Sequence, residues 1–401
     1  MIQLLEYLVK AIEYTVFGYF AISCVYVFVF ALAGHFYKKR KAGKSIIQNK
    51  IALLIPAYKE DAVIVEVAKV ALQQQYSANK FDVVVIADSL KPNTILQLKA
   101  LPIKLIEVSF DKSTKSKALN FAMASLPEDY NYAVILDADN IMEPDFLAKM
   151  NAAFLSGFKI VQGHRKAKNL NSSFAILDAA SEEINNHIFR KGHSTLGFSS
   201  GLIGSGMGFE YALFKSVMKS VNAVGGFDKE LEFKFATEKI KIEYLEHAVV
   251  LDEKIQKASD FSNQRKRWLS TQFIYLKKYF GASCKALFLK GNINLFDKAF
   301  QLMILPRILL MGMTFLMAFS YGLLSLVLNI NTNVGAYLWY INLGITVMAF
   351  LLAIPKAFYN LETLKAMVSL PSAFIRMAML LFKLKGANNK FIHTAHGTIE
   401  N

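Results

Sequence analysis

Two aspartates, Asp137 and Asp139, flank a single alanine about a third of the way along the chain. They directly follow an apolar, β-branched run at 133–136, so we expect them at the end of a strand. The spacing puts both carboxylates on one side of a tight turn, where they suit Mg²⁺ or Mn²⁺ shared with substrate phosphates. A pair of aspartates in a loop is also ordinary turn chemistry, so the motif alone leaves both interpretations open.

Polar side chains follow other predicted strands of the same region as well. These are Pro56, Tyr58 and Glu60 after 51–55, Asp88 after 83–86, Lys117 after 104–108, and Arg165 after 159–162. In parallel sheets, ligands bind at the carboxyl ends of strands. The sequence therefore predicts one polar site that several strand ends share.

A glycine-rich stretch at 204–208 contains Ser205 and Gly206. Glycines would let a ligand approach the backbone closely, although an ordinary flexible loop explains the stretch equally well. Further on, Asp228, Glu230 and Glu232 open a predicted helix. One of these carboxylates can act as a general base, but acidic residues also stabilise helix N-termini without a catalytic role.

A basic stretch, Gln264-Arg265-Lys266-Arg267-Trp268, contains one of the two tryptophans of the chain. Between residues 254 and 290 there are nine lysines and arginines but only one acidic residue. This excess of positive charge is typical of a segment that meets anionic lipid headgroups. The stretch is too short to indicate nucleic-acid binding, and we expect no nucleic-acid partner.

From residue 45 to about 272, short β-branched runs alternate with helical patterns. The candidate site residues named above therefore lie in one predicted domain. The alternation predicts an α/β fold with a mostly parallel sheet and helices on both faces. At 401 residues, the chain is long enough for this domain and further segments. Only two cysteines are present, which excludes a disulfide scaffold.

The composition indicates a membrane protein, because 54% of residues are hydrophobic, 19% are charged and the net charge is +15. Residues 14–37 carry no Lys, Arg, Asp or Glu and are followed by a basic cluster at 38–44, which predicts a retained N-terminal anchor. A second uncharged stretch lies between Arg307 and Lys356 and predicts spans at about 307–328 and 335–356. The basic flanks predict three spans, with the α/β domain and the C-terminus in the cytoplasm.

These observations divide the chain into three parts. Residues 1–44 form the anchor with its basic flank, and residues 45–272 form the α/β domain. Residues 273–401 contain interfacial helices at 273–289 and 364–384, two spans and a cytosolic tail. The segment 273–289 also fits a surface helix of the α/β domain.

Taken together, the motifs resemble those of processive-type family 2 glycosyltransferases, the group that includes cellulose and hyaluronan synthases and ceramide glucosyltransferase. The resemblance covers about 51–268 and rests on Asp88, the Asp137 and Asp139 pair, an acidic base, and Gln264-x-x-Arg267-Trp268. It implies a GT-A fold (Rossmann-like), inversion at the anomeric carbon, and a nucleotide-diphosphate sugar donor, usually a UDP-sugar.

The resemblance also implies a role for each matching residue. Pro56, Tyr58, Glu60 and Asp88 would hold the nucleoside, and Lys117 and Asp137 would contact the donor. Arg165, Ser205 and Gly206 are further predicted substrate-binding residues, from their positions after a strand and in the glycine-rich stretch. Asp139 would bind the metal, Gln264 and Arg267 would grip the diphosphate, and Trp268 would stack on the acceptor. The family's base lies in Thr-Glu-Asp, which this chain lacks in register, and Glu230 is the predicted base.

Three functions fit the sequence. The first is a membrane-bound inverting glycosyltransferase that acts on a glycan acceptor in cell-surface or extracellular polysaccharide synthesis. The second is a glycosyltransferase that acts on a membrane lipid, and the third is a non-catalytic membrane scaffold with a decayed transferase domain. Three spans are few for a polymer-conducting pore, so secretion of a polymer would need a homo-oligomer or a secretion partner.

Overall fold

The computed structural model describes residues 2–38, 47–223, 225–255, 258–330, 332–384 and 397. Most of the basic cluster predicted at 38–44 and nearly all of the predicted cytosolic tail lie outside these residues. In the described part of the chain, eight strands form one curved sheet. They are β1 Ile51–Tyr58, β2 Phe81–Asp88, β3 Lys104–Val108, β4 Tyr132–Ile135, β5 Ile141–Met142, β6 Ile160–Ala167, β7 Met207–Glu210 and β8 Glu243–Asp252.

The strand order is β3-β2-β1-β4-β7-β6-β8-β5. Strands β3, β2, β1 and β4 are parallel to one another, and β6 is parallel to β8. The short strands β5 and β7 run antiparallel to their neighbours. This sheet confirms the predicted α/β class with mostly parallel strands.

Fifteen α-helices lie in the described residues. They are α1 Ile2–Gly34, α2 Ile64–Ala71, α3 Pro92–Lys99, α4 Lys115–Ser125, α5 Phe146–Leu155, α6 Ser173–Asn185, α7 His193–Thr195, α8 Tyr211–Met218, α9 Phe227–Thr237, α10 Ala258–Lys290, α11 Ile293–Met303, α12 Arg307–Leu326, α13 Ala336–Ala353, α14 Leu361–Met367 and α15 Leu370–Leu381. A π-helix, Asn186–Gly192, joins α6 to α7. Two 3₁₀ turns, Ala78–Lys80 and Lys356–Phe358, complete the helical elements.

Both faces of the sheet are covered, because side chains of a strand alternate between its two sides. On β1, Ile51, Leu53 and Ile55 pack against α2 and α5, whereas Ala52 and Leu54 face the side of α4, α8 and α9. All five side chains are fully buried. Burial of a large aliphatic side chain contributes about 1.5–3 kcal/mol, so the two layers hold the strand ends rigidly.

Three of the described helices are long and apolar enough to cross a membrane: Gln3–Gly34, Arg307–Leu326 and Ala336–Ala353. They overlap the three predicted spans, although the first helix begins well before the predicted start at residue 14. A bent pair, α14 and α15, meets at 44° and would make a fourth span if it crossed as one unit. The predicted boundary at residue 272 lies inside α10, which continues without a break from the α/β domain through 273–289.

The first apolar helix packs directly on the α/β domain at two glycines. A Cβ on Gly192 of the π-helix would lie 2.1 Å from the Phe30 carbonyl oxygen, and a Cβ on Gly34 would lie 2.4 Å from His187 Nε2. The His187 ring also hydrogen-bonds the Ala31 carbonyl at 2.8 Å. Since only a hydrogen fits at these two positions, α1 and the domain form a close junction.

Candidate active site

Three carboxylates meet at the carboxyl edge of the sheet. Asp137 and Asp139 follow β4, and Asp252 ends β8, and an oxygen from each lies within 4.8 Å of the others. Asp139 and Asp252 are buried, whereas Asp137 is half-buried. Three hard oxygen donors at this separation fit a divalent ion such as Mg²⁺ or Mn²⁺. Asp252 is not among the predicted site residues.

Asn140 orients this carboxylate group. Its side-chain nitrogen donates to Asp139 Oδ1 at 3.3 Å and to Asp252 Oδ1 at 3.1 Å. Its side-chain oxygen accepts from the Asp137 backbone nitrogen at 3.1 Å. The Glu253 backbone nitrogen donates to Asp139 Oδ2 at 3.0 Å. These bonds hold the carboxylates in fixed directions, as a pre-organised ligand set requires.

Arg165 on β6 lies beside the carboxylate group. Its Nη1 is 3.6 Å from Asp252 and 4.0 Å from Asp137, and its Nε donates to Glu182 at 2.6 Å. Lys254 binds Asp252 at 2.7 Å and also pairs with Glu182. Burial acts to raise the pKa of Glu182, but Arg165 and Lys254 outweigh it and hold the pKa below its usual range. Glu182 therefore fixes both cations next to the Asp group.

Lys115, rather than Lys117, reaches the carboxylate group from α4. Lys115 Nζ pairs with Asp137 and donates to the Gly204 carbonyl at 2.7 Å. Lys117 is exposed, and its Nζ donates to the Lys112 carbonyl at 2.9 Å. The sequence predicted Lys117 as the lysine that contacts the donor, whereas in the structure Lys115 lies at the carboxylate group and Lys117 points away from it.

The Gly204 loop lies next to these cations. Gly204 and Gly206 have φ angles of +84° and +61°, a region that side chains rarely adopt, so the turn requires glycine. Gln162 Nε2 donates to the Ser205 carbonyl at 3.0 Å, and its Oε1 accepts from the Ile203 nitrogen at 3.0 Å. The Ser205 side chain is buried, and the loop is linked to the carboxylate group through Lys115, which binds both the Gly204 carbonyl and Asp137.

The candidate nucleoside residues lie together at the ends of β1 and β2. Tyr58 and Asp88 are partners in the register of the two strands, and Pro56 lies two residues before Tyr58. Asp88 and Glu60 are buried. The residue directly after each strand has a left-handed backbone, Lys59 at φ 57° and Ser89 at φ 58°. Such strained turns occur where a site requires a particular backbone direction.

The carboxylates of α9 point to different places. Glu230 Oε2 accepts from Tyr275 Oη at 3.0 Å and its Oε1 accepts from Lys278 Nζ at 2.7 Å, so it faces α10. Asp228 lies close enough to Lys115 to feel its charge. Burial raises the pKa of Asp228, and Lys229 and Lys115 only partly oppose this effect.

Arg267 on α10 lies within electrostatic range of both α9 and the carboxylate group. Burial lowers the pKa of Arg267, while Asp137 and Asp228 act to raise it, which places both carboxylates near its guanidinium. Gln264 lies one turn earlier on the same helix. Trp268 is 40% exposed, and the Arg265 guanidinium lies over its ring at 4.4 Å. The structure thus brings Lys115, Asp228 and Arg267 together, with Trp268 at the rim.

This sheet, with metal-type carboxylates at its carboxyl edge, is a GT-A fold, the architecture of glycosyltransferases that use nucleotide sugars. Residues 48–271 match the family described as "Glycosyltransferase like family 2". The chain therefore belongs to this family, and the protein is a glycosyltransferase. No curated protein matches the chain in sequence.

The chain is similar to solved structures at low sequence identity. The mannosyltransferase PcManGT from Pyrobaculum calidifontis, in complex with GDP-Man and Mn²⁺, is 13% identical with a TM-score of 0.51, and the match covers 83% of this chain and 97% of that one. Glucosyl-3-phosphoglycerate synthase from Mycobacterium tuberculosis, in complex with Mn²⁺, UDP and glucosyl-3-phosphoglycerate, is 15% identical with a TM-score of 0.37, covering 54% and 75%.

Proposed function

We propose that this protein is a membrane-bound inverting glycosyltransferase that moves one sugar from a nucleotide-diphosphate sugar to an acceptor at the membrane surface. The observation that carries the proposal is the arrangement of three carboxylates, Asp137, Asp139 and Asp252, beside the cations Lys115 and Arg267. A diphosphate leaving group needs both a divalent ion and cationic side chains to stabilise its developing charge.

In this proposal, Asp139 holds Mg²⁺ or Mn²⁺ together with Asp137 and Asp252. When bound, the ion supplies charge stabilisation to the donor's diphosphate. Lys115 and Arg267 bind the same diphosphate from the other side, and Gln264 and the 204–206 backbone complete its surroundings. The mannosyltransferase that shares the fold holds GDP-Man and Mn²⁺, in keeping with this assignment.

Pro56, Tyr58, Glu60 and Asp88 are proposed to bind the nucleoside, as the resemblance implies. They lie at the ends of β1 and β2, on the same edge of the sheet as β4 and its two aspartates. A tyrosine ring can stack on a base, and a buried aspartate can accept from base or ribose donors. UDP-sugars and GDP-sugars both fit these residues.

Inversion needs one general base and a single in-line displacement. The acceptor hydroxyl attacks the anomeric carbon, its proton passes to a carboxylate, and the nucleoside diphosphate leaves. Glu230 is the base that the sequence predicts, and it stays a candidate. We propose Asp228 for this role, because it lies within electrostatic range of both Lys115 and Arg267. Glu230 instead accepts hydrogen bonds from Tyr275 and Lys278.

We also propose that the acceptor lies at the membrane surface, since three of the described helices are long and apolar enough to span a membrane. The basic flanks of these segments predict that the catalytic domain and the C-terminus face the cytoplasm. A glycan acceptor in cell-surface polysaccharide synthesis and a membrane lipid acceptor both fit this arrangement. Trp268 is proposed to stack on the acceptor sugar, as the resemblance implies, and the exposure of its ring supports this role. A non-catalytic scaffold with a decayed domain is not favoured, because the three carboxylates and the cations Lys115 and Arg267 are all present at one edge of the sheet.

The test is nucleotide release by the purified chain in lipid, against a panel of UDP-sugars and GDP-sugars with Mn²⁺, Mg²⁺ or EDTA. We expect turnover with one donor that EDTA abolishes and that Asp139→Asn reduces at least 100-fold, roughly the scale of losing a charge-stabilising group. Absence of both turnover and donor binding across the panel would favour the scaffold instead.

A further inference from the structure

A group of arginines lies between the carboxylate site and the first apolar helix of the C-terminal part. Arg307 is the first residue of α12, which is one of the candidate spans. Its Nη2 donates to Ser181 Oγ on α6 at 2.6 Å. Among the described residues, no carboxylate lies within ion-pair distance of Arg307, and its one hydrogen-bond partner is that neutral hydroxyl.

The surroundings of Arg307 are richer in positive than in negative charge. Arg265 and Arg190 lie close enough to repel its guanidinium, and Asp178 and Glu182 lie close enough to attract it. Both carboxylates already have closer cations, because Asp178 pairs with Arg265 and Glu182 pairs with Arg165 and Lys254. Arginine stays protonated in proteins, so the excess charge is not removed by loss of a proton.

Arg190 is a second cation near Arg307 that adds to this excess of positive charge. It is 4% exposed and donates to the Asn186 side chain at 2.9 Å and to the Gly201 carbonyl at 3.1 Å, both neutral groups. Within the described part of the chain it has no carboxylate at ion-pair distance. A buried or half-buried cation without a counter-charge is costly, and a bound anion would relieve that cost.

Helix α6 connects this arginine group to the catalytic carboxylates. Asp178, Ser181 and Glu182 lie within two turns of one another, with Arg307 at Ser181 and Arg165 at Glu182. Arg165 in turn lies 3.6 Å from Asp252. On the other side, Arg265 stacks on Trp268, the exposed ring near Arg267. A series of cations therefore runs from the donor site past Trp268 to Arg307 at the start of α12.

We infer that Arg307 binds a phosphate group that joins the acceptor's sugar to its lipid, so that the acceptor is a phosphate-linked glycolipid. This inference rests on the proposed function. Arginine is suited to phosphate because its planar donors match two phosphate oxygens. The start of a membrane span is at headgroup depth, where a lipid phosphate lies.

The reaction then balances as for any hydroxyl acceptor. The acceptor's sugar hydroxyl forms a bond to the donor's anomeric carbon, and the bond from that carbon to the diphosphate oxygen breaks. The hydroxyl proton passes to the base on α9, and the nucleoside diphosphate leaves with the electron pair. The phosphate at Arg307 takes no part in bond changes and only positions the acceptor.

Two probes that differ only in the phosphate test the inference: hexadecyl glucoside and hexadecylphospho-glucose, in phosphatidylcholine nanodiscs. We expect the wild-type protein to bind the phosphate probe about 10- to 100-fold more tightly, the range for a charge-assisted contact. Arg307→Gln should lose that preference, and Arg307→Lys should keep part of it. Arg376→Gln, an exposed arginine on α15, is the matched control and should keep all of it.

Nucleotide-sugar binding is measured in parallel, so that the two proposals fail separately. Arg307→Gln should bind the donor as the wild type does, which also shows that the variant is folded. Equal wild-type binding of both probes, or a preference that survives Arg307→Gln, would overturn the inference. Competition by inorganic phosphate as strong as that by the phosphate probe would also overturn the inference, because the site would then bind free phosphate rather than a lipid-linked phosphate. If the wild-type protein bound no nucleotide sugar, the proposed function would be overturned instead.

Discussion

The carboxylates of Asp228 and Glu230 are two residues apart on α9 but have different neighbours. If Asp228 is the base, Asp228→Asn should lower kcat by roughly 10²–10⁴-fold, the usual contribution of general base catalysis. Glu230→Gln should leave kcat nearly unchanged and cost at most about 1 kcal/mol of stability, because Lys278 is half-exposed. Steady-state kinetics and thermal unfolding of both variants are the measurements, and the opposite pattern would return the role to Glu230.

The pH profile is a second test at the residue scale. Burial raises the pKa of Asp228 above its ordinary value of 3.8. A base must be deprotonated, so kcat/KM should fall as the pH drops through this raised pKa, at a higher pH than an ordinary aspartate would give. The profile of kcat/KM with a saturating metal concentration measures this limb. An acid limb at the ordinary value would contradict the environment described for Asp228.

The position of Asp252 allows a prediction about metal affinity that could not be made from the sequence. It contributes one of three carboxylates of the metal-type group and bonds Asn140 at 3.1 Å. Asp252→Asn should weaken Mn²⁺ binding in the presence of the nucleotide by about 10- to 100-fold, since one charged ligand becomes neutral. Titration calorimetry of Mn²⁺ measures this change. Unaltered Mn²⁺ affinity would remove Asp252 from the ligand set.

At the scale of elements, Gly226 sets the distance between α9 and α10. It has a φ of +67°, and a Cβ there would lie 2.2 Å from Thr271 Cγ2. Gly226→Ala should therefore push Asp228 away from Arg267 and lower kcat, besides a strain of about 1–2 kcal/mol for a left-handed alanine.

Thr271→Ser is the matched partner variant, because it removes the methyl group that the new Cβ would strike. The double variant should recover much of the lost kcat while it keeps the left-handed strain in its unfolding free energy. Kinetics and thermal unfolding of the single and double variants separate the two effects. If kcat did not recover, the clash would not be the cause of the loss.

Elements with continuous apolar runs were predictable from the sequence, and elements defined by their partners were not. Strands β1, β2 and β4 have such runs, and β3 and β6 have shorter β-branched segments that were also predicted as strands. Strand β8 interrupts its pattern with Glu246 and His247, opposite a register shift at Gly163 and His164 in β6. Asp252 reaches the site only because β8 lies beside β6, and nothing in local spacing indicates that neighbour.

The lysine of the donor site shows the same limit on a helix. Thr114 caps α4 through the Lys117 backbone nitrogen at 3.2 Å, which makes Lys115 the first helical residue. Two residues correspond to about 200° around a helix, so Lys115 and Lys117 point to opposite sides. The sequence analysis chose Lys117, and it is the start of the helix at Lys115 that turns Lys115 instead toward the carboxylate group.

For the whole molecule, the junction between α1 and the π-helix joins the apolar bundle to the α/β domain. Gly192→Ala should destabilise the protein by about 1–3 kcal/mol, because its Cβ would meet the Phe30 backbone oxygen. Gly18→Ala on the same apolar helix is the control, since nothing lies within 4 Å of its Cβ. Thermal unfolding in lipid measures both variants, and equal midpoints would contradict the close junction.

The central claim is that this membrane-bound GT-A enzyme transfers its sugar in one displacement assisted by one base. The anomeric configuration of the transferred sugar tests that claim most directly. The reconstituted protein is supplied with the donor found in the panel, and the early product is examined by NMR. We predict a linkage opposite in configuration to the donor. Retention of configuration would require a second displacement, and would contradict both the single base and the proposed mechanism.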